Sequence, residues 1–108
     1  MSDSLNQIRT QIIESAQIDD EEIALRLANG WAISIYNATS LHVRNEAKTV
    51  EHSLLVNARI VAIESADDSL TFALDNSSTL IVDLRDAAYR GPEAVVLRGP
   101  LGEFIVVN

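Results

Sequence analysis

The stretch Ile23-Ala24-Leu25-Arg26-Leu27-Ala28-Asn29-Gly30-Trp31-Ala32-Ile33-Ser34-Ile35-Tyr36 decides the fold. It reads as two strands joined at Asn29-Gly30, a dipeptide suited to the positive backbone angles of tight hairpin turns. The apolar residues select the register. A two-residue loop would pair Ala28 with Trp31 and set Leu25 and Ile33 on opposite faces. A three-residue loop, Ala28-Asn29-Gly30, pairs Leu27 with Trp31, Leu25 with Ile33 and Ile23 with Ile35, and all six then share one face. The second arrangement is expected, because a slip of one residue turns a whole hydrophobic set toward water. Gly30 then takes the left-handed position of a type I turn with a bulge.

The hairpin has an echo 47 residues downstream. Ile23, Leu25, Leu27, Asn29, Ile33 and Ile35 align with Leu70, Phe72, Leu74, Asn76, Leu80 and Val82. The match is one of pattern, so it reads as two hairpins obeying the same physical rule. Two copies are too few for a stacked repeat array.

With 108 residues the chain is expected to form a single domain, 1–108. It is 47% hydrophobic and 22% charged, the balance of a folded globular protein. There is no cysteine, which excludes disulfides, a thiol nucleophile and thiolate metal sites. No apolar run approaches the ~18 residues of a membrane span. The N-terminus lacks the basic and apolar regions of a secretory signal, and a cytoplasmic location is the default expectation. The net charge of −8, with eight scattered basic residues, argues against a phosphate-binding surface and hence against nucleic acid. An acidic surface can instead steer a basic protein partner, or simply keep a small protein dissolved.

Outward from the hairpin, Ser2 to Gln17 reads as an amphipathic helix. Leu5, Ile8, Ile12 and Ala16 form one stripe at helical spacing. The expected organisation is therefore a helix within 1–18 followed by β-rich hairpins over 22–108. Asp19-Asp20-Glu21-Glu22 lacks the alternating spacing and turn glycine of a calcium loop, and reads as a solvated strand entry. Asn37 to Ser53 is irregular and holds both histidines, His42 and His52. A zinc site needs about three converging ligands, which two unspaced histidines do not supply. Leu54 to Glu64 reads as a strand apolar on both faces. A four-residue turn after it would place Ile63 opposite Leu70 and Val61 opposite Phe72. At the C-terminus, Pro100-Leu101-Gly102 repeats the device of Gly30 and pairs Leu97 with Ile105, Val96 with Val106 and Val95 with Val107. The expected class is α+β, with an N-terminal amphipathic helix packed on an antiparallel sheet or half-barrel of about six to seven strands.

Leu27-Ala28-Asn29-Gly30-Trp31, Ile35-Tyr36-Asn37, Val82-Asp83-Leu84 and Ala88-Tyr89-Arg90-Gly91-Pro92-Glu93-Ala94 resemble a group of small uncharacterised bacterial proteins. The likeness runs from Ile23 to the C-terminus. It implies a compact β-rich domain of the kind sometimes carried by accessory or mobile genes, and no functional residue is transferred from it. At the second turn, Asn76-Ser77 departs from the usual Asn-Gly.

Catalytic motifs are missing. No serine has nucleophile-elbow spacing, and there is neither a phosphate loop nor a dinucleotide fingerprint. Asp83 and Asp86 could do acid–base chemistry only if buried together. No catalytic, metal-binding or cofactor-binding residue is therefore assigned, and no cofactor is expected. A non-enzymatic interaction or accessory protein, in the manner of an immunity or antitoxin-like protein, is the leading reading. The alternative is a small barrel holding an apolar molecule, with Trp31, Tyr36 and Phe72 near its mouth. Val95, Leu97, Phe104 and Val106 are the candidate interface of a homo-oligomer, with a dimer favoured. Their two strands lack a polar face, and a contiguous exposed apolar patch is rare on a monomer.

Overall fold

The computed structural model describes residues 8–85 and 93–107. Its strands are β1 (Ile13–Ile18), β2 (Ile23–Leu27), β3 (Ala32–Ile35), β4 (Thr39–Val43) and β5 (Glu46–Lys48). A four-residue helix, α1 (His52–Leu55), precedes β6 (Ile60–Ser65), β7 (Ser69–Leu74), β8 (Ser78–Asp83), β9 (Val95–Arg98) and β10 (Phe104–Val107). They form two five-stranded antiparallel sheets, ordered β1-β2-β3-β9-β10 and β5-β4-β8-β7-β6. Leu25, Leu27, Ile33 and Ile35 of the first sheet and Leu41, Phe72, Leu80 and Val82 of the second belong to one buried cluster.

The first hairpin has the expected register, with Ile23 opposite Ile35 and Leu25 opposite Ile33. Gly30 sits at φ +91°. Its N–H donates to the Leu27 carbonyl at 3.1 Å, while the Leu27 N–H donates to that of Trp31 at 2.8 Å. The C-terminal hairpin repeats the geometry, with Gly102 at φ +89° and Leu97 opposite Ile105.

The α+β class is corrected to an all-antiparallel β fold, because the expected helix is strand β1 over Ile13–Ile18. The sequence stripe misled for a physical reason. A bulge lies between Ile13 and Ser15, so Ile13 faces Leu27 and Ala16 faces Leu25. One extra residue in a strand turns the period of two into a spacing of three, and Ile13 and Ala16 both point inward as they would on a helix. The part of the expected helix over residues 1–7 lies outside the described residues. The same device corrects β6. A bulge between Ile60 and Ala62 leaves Val61 exposed, so this strand is not buried on two faces. The turn after it is tighter than expected, and Ile63 faces Phe72 while Ser65 faces Leu70. The segment read as irregular contains β4 and β5, and Leu54 lies in α1.

The echo of 47 residues is structural and extends well beyond the hairpins. Leu25–Ile33 and Phe72–Leu80 are equivalent pairs, as are Ile13–Leu27 and Ile60–Leu74 at the two bulges. Thr10 and Asn57 are equivalent left-handed residues at φ 71° and 73°. Ile12 and Arg59, themselves equivalent, form the antiparallel bridge that joins the edges of the two sheets. About that bridge the halves are related by a pseudo-twofold. The β4–β5 hairpin leaves the first half and pairs with β8, whereas β9–β10 leaves the second half and pairs with β3. Each sheet is thus a three-strand meander of one half completed by the hairpin of the other, which interlocks the two halves.

Candidate interaction surface

The Ile12–Arg59 bridge ties the sheets together where β1 and β6 begin, and β5 and β10 are the strands at the opposite edges. These two strands occupy equivalent places in the two halves and differ sharply in chemistry. β5 is three residues long and fully exposed, and Lys48 pairs with Glu46 at 3.3 Å. A short, charged edge discourages a foreign strand from adding to it. β10 is Phe104-Ile105-Val106-Val107, with no charge and no proline.

The pleat divides β9–β10 into two faces. Val95 and Leu97 point inward and are fully buried, with Ile105 and Val107 packed beside them. Phe104 and Val106 point outward and stay 58% and 37% exposed. Of the four residues expected at an interface, the strand alternation therefore brings Phe104 and Val106 to the surface and places Val95 and Leu97 in the core. The Arg98 guanidinium carbon lies 5.4 Å from the centroid of the Phe104 ring, a cation–π arrangement that holds the ring over the sheet. Leu101, at the tip of the turn, is 88% exposed. Pro100 meets the neighbouring turn: a Cβ added at Gly30 would stand 3.1 Å from its Cβ.

Trp31 and Phe72 lie in the buried cluster, and Tyr36 is half-buried. His42 sits half-buried on β4 with its Nδ1 unpartnered, while His52 opens α1 in an exposed position. Among the described residues, no group of three or more histidines and carboxylates is placed to hold a metal ion. Asp19-Asp20-Glu21-Glu22 forms the β1–β2 turn. The Asp19 carboxylate accepts the N–H groups of Glu21 and Glu22 at 2.9 and 2.8 Å, so it closes that turn. This turn borders a cavity of about 300 Å³ together with Asn37, Thr39 and Thr49.

Asp83 ends β8 and pairs with Arg85, Oδ2 to Nη2 at 2.6 Å. Hydrogen bonds from the Arg85 side chain and backbone hold its pKa at about 2. The pair borders a cavity of about 370 Å³ with Thr39, Ser40, Asp68 and Ser69. Asp86, the second member of the carboxylate pair considered from the sequence, lies outside the described residues. Among the described residues, no helix is long and apolar enough to cross a membrane. Comparison with known proteins returns no matching family model, curated protein or solved structure.

Proposed function

We propose that the protein is a small non-catalytic interaction module that works as a homodimer through its C-terminal hairpin. The observation that carries this reading is the outermost strand β10, whose Phe104 and Val106 are uncharged, aligned on one face and exposed. Apolar side chains in such a row are a standing liability on a lone protein and a contact surface on an assembled one. The net charge of −8 suits a basic protein as the further partner, in the manner of an immunity or antitoxin-like protein in the cytoplasm. Light scattering at micromolar concentration tests the dimer. The parent chain is expected at twice the monomer mass and Val106→Glu at the monomer mass. A monomeric parent would refute the reading.

A further inference from the structure

We infer that two copies join edge to edge, β10 against β10 in antiparallel register, with the twofold axis at Ile105, so that two five-stranded sheets become one continuous sheet. This rests on the homodimer proposed above and specifies how it is built.

The backbone selects the edge. The Gly99 N–H donates to the Glu103 carbonyl at 2.9 Å, which makes Gly99–Glu103 a hydrogen-bonded pair. Such pairs alternate with non-bonded ones along an antiparallel ladder. Ile105, opposite Leu97, and Val107, opposite Val95, therefore turn their N–H and C=O groups toward β9. Phe104 and Val106 turn theirs away from β9, toward the open edge. β10 pairs only with β9 among the described residues. The edge thus offers two donors and two acceptors, spaced two residues apart.

A second copy of the same strand satisfies all four. With the axis at Ile105, Phe104 faces Val106 of the second copy and Val106 faces its Phe104. Both are hydrogen-bonded pairs, and Ile105 faces its own twin across a non-bonded position. The exposed Phe104 and Val106 side chains then lie side by side on the outer face, and no charge enters these three pairs. Moving the axis to Phe104 would bring Gly102, left-handed at φ +89°, into the ladder, where an extended residue is needed. The equivalent edge supplies the contrast. At β5 the same pairing would set Lys48, the counterpart of Ile105, against its own twin in a three-residue strand.

The chain has no cysteine, so introduced thiols report the register without background. Non-bonded antiparallel partners have Cα atoms about 4.5 Å apart and bonded partners about 5.5 Å, both within disulfide reach. Ile105→Cys is therefore expected to oxidise to a covalent dimer. Phe104→Cys or Val106→Cys alone places the two thiols' Cα atoms about 8 Å apart, beyond reach. A mixture of the Phe104→Cys and Val106→Cys proteins is expected to give the mixed disulfide at least tenfold faster than either protein alone. This arm uses only exposed positions and stands if Ile105→Cys fails to fold. Efficient bridging of Val106→Cys with itself would move the axis and overturn the inference. So would a dimer by light scattering with no mixed disulfide, which would place the interface elsewhere. A monomer by light scattering would remove the dimer itself.

Discussion

The two halves carry the same turn with different residues in its strained position, so the cost of that strain can be read within one molecule. Gly30 and Ser77 are equivalent, at φ +91° and +69°. In both turns an asparagine side-chain oxygen, from Asn29 or Asn76, accepts the N–H two residues on, at 3.2 and 3.1 Å. A left-handed backbone costs an ordinary residue about 1–2 kcal/mol, and glycine avoids this at the expense of about 0.4–1 kcal/mol of extra chain entropy when unfolded. Ser77→Gly should therefore stabilise the protein by about 0.5–1 kcal/mol. With a urea slope of about 2 kcal/mol/M, the midpoint should rise by about 0.3–0.5 M. Gly30→Val should do the reverse and cost about 1 kcal/mol or more, since its new side chain also meets Pro100. Urea unfolding followed by tryptophan fluorescence suits both variants, because Trp31 is buried beside the first turn. A Ser77→Gly variant with an unchanged or lowered midpoint, at constant slope, would refute the left-handed assignment of Ser77. A neutral Gly30→Val would refute the register of the first hairpin.

Two further outcomes follow from charge. Asp83 has its folded pKa lowered from 3.8 to about 2, so its stabilising contribution is complete above the ordinary carboxylate value and drains away as pH falls from about 4 to about 2. Thermal melts across that range should show Arg85→Gln flattening this part of the profile. An identical slope in parent and variant would mean that the pair does not couple to folding. Duplex DNA should not bind at physiological salt, because the net charge is −8 and sixteen acidic residues outnumber eight basic ones. Salt-sensitive micromolar binding in fluorescence anisotropy would overturn this.

What could be read from the chain was whatever its turns announce locally. Asn29-Gly30 and Pro100-Leu101-Gly102 carry glycine where the backbone is left-handed, and both registers follow from them together with the apolar alternation. The β4–β5 turn sends no such signal. Arg44 and Asn45 take φ 53° and 70° without a glycine, and β4 offers one fully buried apolar residue, Leu41, between Ser40 and His42. Such a strand is specified by its partner β8, which lies far away in sequence. The error at β1 has the opposite character, since a bulge imitated a helical period. Only the equivalent bulge at Ile60 exposes the imitation, and seeing it requires extending the 47-residue correspondence backward past Ile23. At the surface, the alternation within Phe104–Val107 separates outward Phe104 and Val106 from inward Ile105 and Val107. It could not be phased until the pairing with β9 was known.

The pseudo-twofold also bears on why the C-terminal edge matters. Equivalent strands of the two halves share their registers, so the residues at matching positions can be compared directly. The inward sets stay apolar in both halves, as in Leu25 and Phe72, or Ile33 and Leu80. The outward sets part company. Arg26 and Ala73 are equivalent, as are Arg98 and His42, and Phe104 and Ala47. One sheet carries arginine and phenylalanine on the outside, and the other carries alanine and a half-buried histidine. Stability alone would favour the plain set at both edges, because an exposed phenylalanine on a terminal strand gains little from burial and risks aggregation. A ring held 5.4 Å from the Arg98 guanidinium carbon, on an uncharged outer strand, is the surface that the proposed dimer would cover.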